Sequence, residues 1–212
     1  MTNQQIITQA RYQLNEKTPA FFEDVELYLY ATDGVRDLAQ RLPKAFLMSL
    51  HTYSYLTATG AYIAGFVDES DSFLLPNDFT KEIDVSSIIP VDGKFHIYRP
   101  ISEKSLWSYQ YLSYFSVSDT NPKYVLGEDR SIKVLPKALV YSGERKIMLK
   151  YIKTPDEISS STLGSACQIE HQAQHLVVKY IVLQGLKKDK EAETSLVLDK
   201  EYNEGIKSLG GI

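Results

Sequence analysis

The chain has 212 residues, 43% of them hydrophobic and 24% charged, with a formal net charge of −4, which is enough to bury the core of one domain, or of one domain carrying a subdomain. The negative balance excludes a protein that grips nucleic acid through many phosphate contacts, because such binding needs a concentrated basic face. The single cysteine, Cys167, excludes an intramolecular disulfide and suits a reducing cytoplasm.

The N-terminal stretch Met1-Thr2-Asn3-Gln4-Gln5 lacks a basic region followed by an apolar one, and Lys179 interrupts the most apolar run before it could span a bilayer. A soluble, non-secreted protein with no membrane contact is expected. Ile6, Ala10 and Leu14, four residues apart, predict a first helix over about Gln4 to Leu14, broken by Lys17-Thr18 and Pro19. A second helix is expected from Glu23 or Asp24, whose carboxylates suit the positive end of the helix dipole, with Phe21-Phe22 stapling its entry. Its apolar stripe is Leu27, Ala31, Gly34, Val35, Leu38 and Leu42, and Pro43 ends it. Gly34 inside this helix costs about 1 kcal/mol relative to alanine, which a close approach by another helix would justify.

Between Phe46 and Tyr151 the period changes. Leu50–Thr57, Tyr62–Val67, Ile83–Ile88, Phe95–Tyr98, Tyr124–Leu126, Ile132–Leu135 and Ile147–Ile152 are short, β-branched or aromatic, and bounded by Gly, Pro, Asp or Ser, so they read as strands of a small antiparallel sheet or sandwich. Asp92-Gly93 and Ser142-Gly143 are turn signals, and Pro76-Asn77-Asp78-Phe79 reads as one tight turn. Ile101–Val117 fits either a short helix or a strand pair. After the polar stretch Ser159–Ser165, Ala173, Leu176, Val177, Tyr180 and Leu183 predict a third helix, faltering at Lys187-Lys188-Asp189-Lys190. A fourth follows from about Glu191 to Leu209, with Ala192, Leu196, Tyr202, Ile206 and Leu209 inward, and the short connection makes the two antiparallel neighbours. Gly210-Gly211-Ile212 reads as a frayed tail. The expected architecture is thus α+β: a helical bundle formed by N-terminal (1–45) and C-terminal (158–212) helices, with an inserted small antiparallel β subdomain (46–157).

Charge is unevenly spread. Asp68, Glu69, Asp71, Asp78, Glu82 and Asp84 against Lys81 give residues 68–84 a local balance of −5, whereas residues 123–153 carry a balance of +5 from a run of bases that includes Lys133, Lys146, Lys150 and Lys153. These are either two solvated surfaces or complementary patches on neighbouring copies, which would set orientation more than affinity. Cys167, His171 and His175, spaced by four, form the best metal candidate, but a closed zinc site needs a fourth ligand that no nearby residue supplies. Cys167 has no evident activating partner, Gly164-Ser165 is no nucleophile elbow, and no Gly-rich phosphate loop occurs. No metal, cofactor or catalytic residue is therefore expected, and the chain does not read as an enzyme. The fifteen tyrosines and Trp107 are either sheet and core residues or an interface population; a stacking platform for single-stranded nucleic acid is the weakest option, since Ser105–Ser118 holds no basic residue.

Several phrases occur in order along the chain: Glu26-Leu27 with Asp33-Gly34-Val35-Arg36-Asp37-Leu38, then Leu75-Pro76-Asn77-Asp78-Phe79, a hairpin from Tyr124 to Pro136, Leu149-Lys150-Tyr151 before Pro155, and His175-Leu176-Val177 with Tyr202. In this order the chain resembles the head-to-tail connector adaptors of tailed bacteriophages, and is similar to the tail tubular protein A type of short-tailed phages. The resemblance implies a structural virion protein at the head-tail junction, assembled in the host cytoplasm. It implies a homo-oligomeric ring, commonly of twelve subunits, that docks under the portal protein and joins it to a downstream nozzle or tail-tube protein. DNA would pass through the lumen without sequence-specific binding. Two site expectations follow: subunit contacts through Asp68, Glu69 and Asp71 against Lys146 and Lys150, and portal docking through Leu209 and Ile212. The tyrosine-rich Trp107–Phe115 stretch and the segment around Ile88 have no counterpart in the resemblance, and a carbohydrate- or receptor-binding β module of a phage tail is the alternative.

Overall fold

A computed structural model describes residues 1–16, 21–57, 71–88, 95–105, 108, 118, 121–136, 140–141, 144–189 and 191–212 of the chain. The expected strand Tyr62–Val67, the turns Asp92-Gly93 and Ser142-Gly143, the breaker Lys17–Pro19, and Leu106–Phe115 apart from Ser108 lie outside the described residues. The chain divides into two compact units, Met1–His51 with Ile152–Ile212, and Thr52–Tyr151.

The first unit is helical. Helix α1 spans Asn3–Gln13, opened by a capping box in which the Thr2 side chain and the Gln5 side chain satisfy each other's backbone amides. Helix α2 spans Asp24–Arg41, α3 spans Gln174–Lys188 and α4 spans Ala192–Ser208. Helix α3 is the centre, with α1, α2 and α4 each packed against it. Leu176, Val177, Val178, Ile181, Val182 and Leu183 are all buried, so its apolar surface wraps nearly all the way round, as a helix covered on several sides requires. The joint between α1 and α2 is ionic: the buried Arg11 guanidinium donates to Glu16 at 2.9 Å, to Asp24 at 2.6 Å and to the Phe22 carbonyl at 3.0 Å. Glu16 also accepts from the Phe21 and Phe22 amides. Phe22 is buried and Phe21 stands half exposed beside it, their rings edge to face at 4.8 Å. After Pro43 the chain makes a 3₁₀ turn over Lys44–Leu50 rather than entering a strand directly.

The second unit holds the body of the sheet. Its strands are β1 (His51–Thr57), β2 (Asp71–Leu74), β3 (Phe79–Ser87), β4 (Ile97–Pro100), β5 (Lys123–Leu126), β6 (Ser131–Leu135), β7 (Val140–Tyr141) and β8 (Glu144–Lys153). They follow the order β1-β8-β3-β4-β5-β6-β2, with β7 paired to β8 off that path. The expected fold, a helical bundle with an inserted small antiparallel β subdomain, is corrected by this arrangement. The protein is mixed α/β: seven strands form one continuous sheet, and β4 and β5 run parallel, Arg99 opposite Lys123 and Pro100 opposite Tyr124. The sheet also buries a core of its own, with Phe73, Val85, Tyr124, Ile132, Ile147 and Leu149 among its residues. Parallel neighbours need a connection of a dozen or more residues, and the 22 residues between β4 and β5 supply it. Short apolar runs carry no record of the direction in which their partners run.

Candidate functional site

Two of the ordered sequence phrases turn out to be joints. In α2, Gly34 faces α3, where a Cβ would lie 2.9 Å from Cδ1 of Tyr180; only a hydrogen fits without displacing that ring. Val35 and Leu38 are buried, and Asp37 accepts from the Tyr202 hydroxyl of α4 at 2.6 Å and from Arg41 at 3.4 Å. Burial, then the Asp37 carboxylate, pushes the Tyr202 phenol well above its ordinary pKa. The phrase Asp33–Leu38 therefore encodes the contact of α2 with α3 and α4.

In the sheet unit, Leu75–Phe79 turns from β2 into β3, with the Phe79 amide bonded to the Pro76 carbonyl at 3.1 Å. Asp78 accepts from the Tyr151 hydroxyl at 2.9 Å, and the Phe79 and Tyr151 rings lie 5.9 Å apart. Arg130, at the β5–β6 hairpin, donates to the carbonyls of Pro76 and Asn77 at 2.9 and 3.2 Å. Three phrases that are distant in sequence thus meet at one corner. Their chemistry is packing and backbone satisfaction.

The expected interface residues are unequally placed. Asp68 and Glu69 lie outside the described residues, and Asp71 is described through its backbone register with Val134 on the edge strand β2. On β8, Ile147, Leu149 and Tyr151 are buried in the sheet core, so strand alternation sends Lys146 and Lys150 to the other face, where Lys150 is exposed. The rest of the acidic block is not remote from these bases. Strand β3, bearing Glu82 and Asp84, lies between β8 and β4 in the sheet, and both acids help raise Tyr124 to about 12, after burial as the main cause.

The expected docking residues Leu209 and Ile212 are half buried and 85% exposed, respectively. The tail is not frayed. Gly210, at φ +79°, turns the chain in a left-handed conformation that suits glycine. The Ile212 amide then donates to the Arg41 carbonyl at 3.2 Å, and Arg41 Nε donates to the Ile212 carbonyl at 2.9 Å. Arg41 also donates to Asn203 at 2.6 Å, and its guanidinium lies 5.7 Å from the Tyr202 ring centroid. The tail leaves only the Ile212 side chain projecting.

Cys167, His171 and His175 do not share a helix face. Helix α3 begins at Gln174, His171 opens a 3₁₀ turn, and Cys167 is buried while both histidines are exposed. Burial pushes the Cys167 thiol up, which keeps it protonated and a poor nucleophile or ligand. Among the described residues no group of three or more His, Cys, Asp or Glu is placed to hold a metal ion, and no helix is long and apolar enough to cross a membrane. The described tyrosines of the sheet unit differ in placement. Tyr98, Tyr124 and Tyr151 belong to the sheet core, whereas Tyr53 and Tyr55 stand out from the edge strand β1, 62% and 58% exposed with rings 5.7 Å apart.

Sequence reasoning missed strand β2, the pairing of Arg99 with Lys123 and the outward turn of Leu196, expected inward but 71% exposed beside Val197 at 60%. Leu196 sits about 80° round the helix from the buried Ile206 at 100° per residue, and the inner stripe runs instead through Ser195, Tyr202 and Ile206. Counting that angle along the sequence was the available signal.

The family model described as SU10 adaptor protein matches residues 1–211 of the chain. No curated protein matches it.

Proposed function

The chain belongs to the SU10 adaptor protein family, a phage head-tail adaptor family, and is a structural component of the virion; from that premise we propose that it forms a ring, of the order expected for tail tubular protein A-like adaptors, seated under the portal and continued by a nozzle or tail-tube protein. The family match over nearly the whole length carries this reading. The geometry supports it in two ways. The ordered phrases are spent on holding helices and hairpins together, which leaves charged and apolar side chains outward for partners. Strand β8 carries Lys146 and the exposed Lys150 on the face turned from the sheet core, for which Asp68, Glu69 and Asp71 of the next subunit are the proposed match, and the projecting Ile212 with Leu209 is the proposed portal contact. A ring of this kind conducts DNA through its lumen without reading sequence, in keeping with a chain of net charge −4.

Electron microscopy of the purified chain alone and mixed with portal-bearing particles tests the reading. Ring-shaped particles, or density added beneath the portal, are expected. A chain that stays monomeric and does not load onto such particles would refute it.

A further inference from the structure

Two exposed surfaces of this chain match each other in apolar character and charge. In the helical unit, the C-terminal end of α1, α3 and the start of α4 enclose a groove of about 390 Å³, within the range of about 300–1,000 Å³ typical of ligand sites. Its floor is apolar, with Leu14, Phe22, Val182 and Leu198, and Asp189 and Glu191 stand on its rim. The bases at that end of α3 are already engaged, Lys188 with Glu26 at 2.6 Å and Lys187 with Asp199 at 3.8 Å. The exposed Leu196 and Val197 extend the apolar surface.

In the sheet unit, β4 and the residues before it present the opposite character. Tyr98 turns into the core, so Phe95, Ile97 and Arg99 alternate outward; Phe95 and Ile97 are 64% and 60% exposed and Arg99 is exposed too. Arg99 stands in direct register with Lys123 on the parallel neighbour β5. Lys123 is buried, with its ammonium bonded to Asn121 at 2.9 Å. An apolar strand face ending in the exposed Arg99 is the complement of an apolar groove rimmed by two carboxylates.

We infer that the groove between α1, α3 and α4 receives Phe95, Ile97 and Arg99 of a second copy of this chain. The contact joins different surfaces on the two copies, so it is heterologous, and its repetition closes into a ring when the rotation permits. It rests on the ring reading above and deepens it by naming one contact, distinct from the Lys146 and Lys150 surface. Apolar side chains in the groove supply the affinity, and Arg99 facing Asp189 and Glu191 sets the register.

Sedimentation velocity of the full chain over a concentration series tests this, with electron microscopy of the unaltered protein as the separate check on ring formation. Thr194→Trp fills the groove from an exposed position, Ile97→Ser removes an anchor, and Arg99→Glu and Asp189→Lys reverse the two charges. Each single variant is expected to keep its thermal midpoint and to weaken association about tenfold or more, the effect of about 1.4 kcal/mol. The double variant Arg99→Glu/Asp189→Lys is expected to recover most of that loss. If Thr194→Trp, Ile97→Ser and Arg99→Glu all assemble like the unaltered chain, the contact is elsewhere and the ring reading stands. If the double variant does no better than its parents, the proposed pairing is wrong. If the unaltered chain neither self-associates nor loads onto portal-bearing particles, both readings fall.

Discussion

The Tyr202 hydroxyl donates a hydrogen bond to Asp37 across 2.6 Å, linking helix α4 to α2 over a sequence separation of 165 residues. Tyr202 is 3% exposed, and the Arg41 guanidinium lies over its ring while bonding Asp37, Asn203 and Ile212. A buried hydrogen bond to a charged acceptor contributes about 1.5–3 kcal/mol. Tyr202→Phe is therefore expected to lower unfolding stability by about 2 kcal/mol in urea titration. Asp37→Ala should cost at least as much, because it strands the phenol and takes a partner from Arg41. A loss below about 0.5 kcal/mol for both, the scale of ordinary surface substitutions, would show that the link is not structural.

Alkaline pH should unfold the protein through its buried and half-buried phenols. Burial, then the hydrogen bond to Glu26, raises Tyr30 to about 12; burial, then Asp78, raises Tyr151 to about 12; burial, then Glu82 and Asp84, does the same for Tyr124. A folded-state pKa above the unfolded value means that the stability is fully present below about pH 10 and is lost as pH rises through 12. The urea midpoint should stay level up to about pH 10 and fall beyond it. Tyr151→Phe should make that fall shallower. An equal fall in the variant would assign the alkaline loss to other groups.

Gly34 tests the helix contact directly. A Cβ there would meet Tyr180 at 2.9 Å, so the gain of about 1 kcal/mol in helix propensity from Gly34→Ala is opposed by overpacking of about 1–3 kcal/mol. Gly34→Val, which adds a branched side chain without alanine's propensity, should destabilise by about 2 kcal/mol or more. Combining it with Tyr180→Ala should return part of that loss by opening the space. Additive losses would mean that the two positions do not share a contact.

Charge reversal probes the proposed subunit contact. Changing Asp68, Glu69 and Asp71 to lysine should impair assembly, and adding Lys146→Glu and Lys150→Glu should restore it in part, as read by mass photometry. Oligomers unchanged in both variants would dismiss this pairing.

The C-terminal tail offers a further check on portal attachment. Ile212→Ser alters a side chain that is 85% exposed, so thermal stability should hold within about 0.5 kcal/mol while loading onto portal-bearing particles declines. Arg41→Gln releases the anchored Ile212 carbonyl and should make the tail sensitive to carboxypeptidase. Removing residues 205–212 is a different experiment, since it deletes the fully buried Ile206 and would damage the helical core. Normal particle loading by Ile212→Ser would place the docking contact on another surface.

The amino-acid sequence by itself determined the helices and most strand positions, because burial on one side leaves a period of 3.6 or 2 along the chain. Helix α2 was expected from Glu23 or Asp24 to Pro43 and runs from Asp24 to Arg41; the glycine within it signalled a close approach, which Tyr180 makes. The sequence also carried the uneven charge and the ordered phrases that resemble phage adaptors. Tertiary structure alone decided which strands pair, that β4 and β5 run parallel, that Arg99 stands beside Lys123, that Leu196 faces outward, and that the C-terminal residues are held by Arg41. Local periodicity records which residues are covered, whereas the partner that covers them is chosen by packing among segments separated along the chain, where many pairings satisfy the same local pattern and only one closes every contact at once.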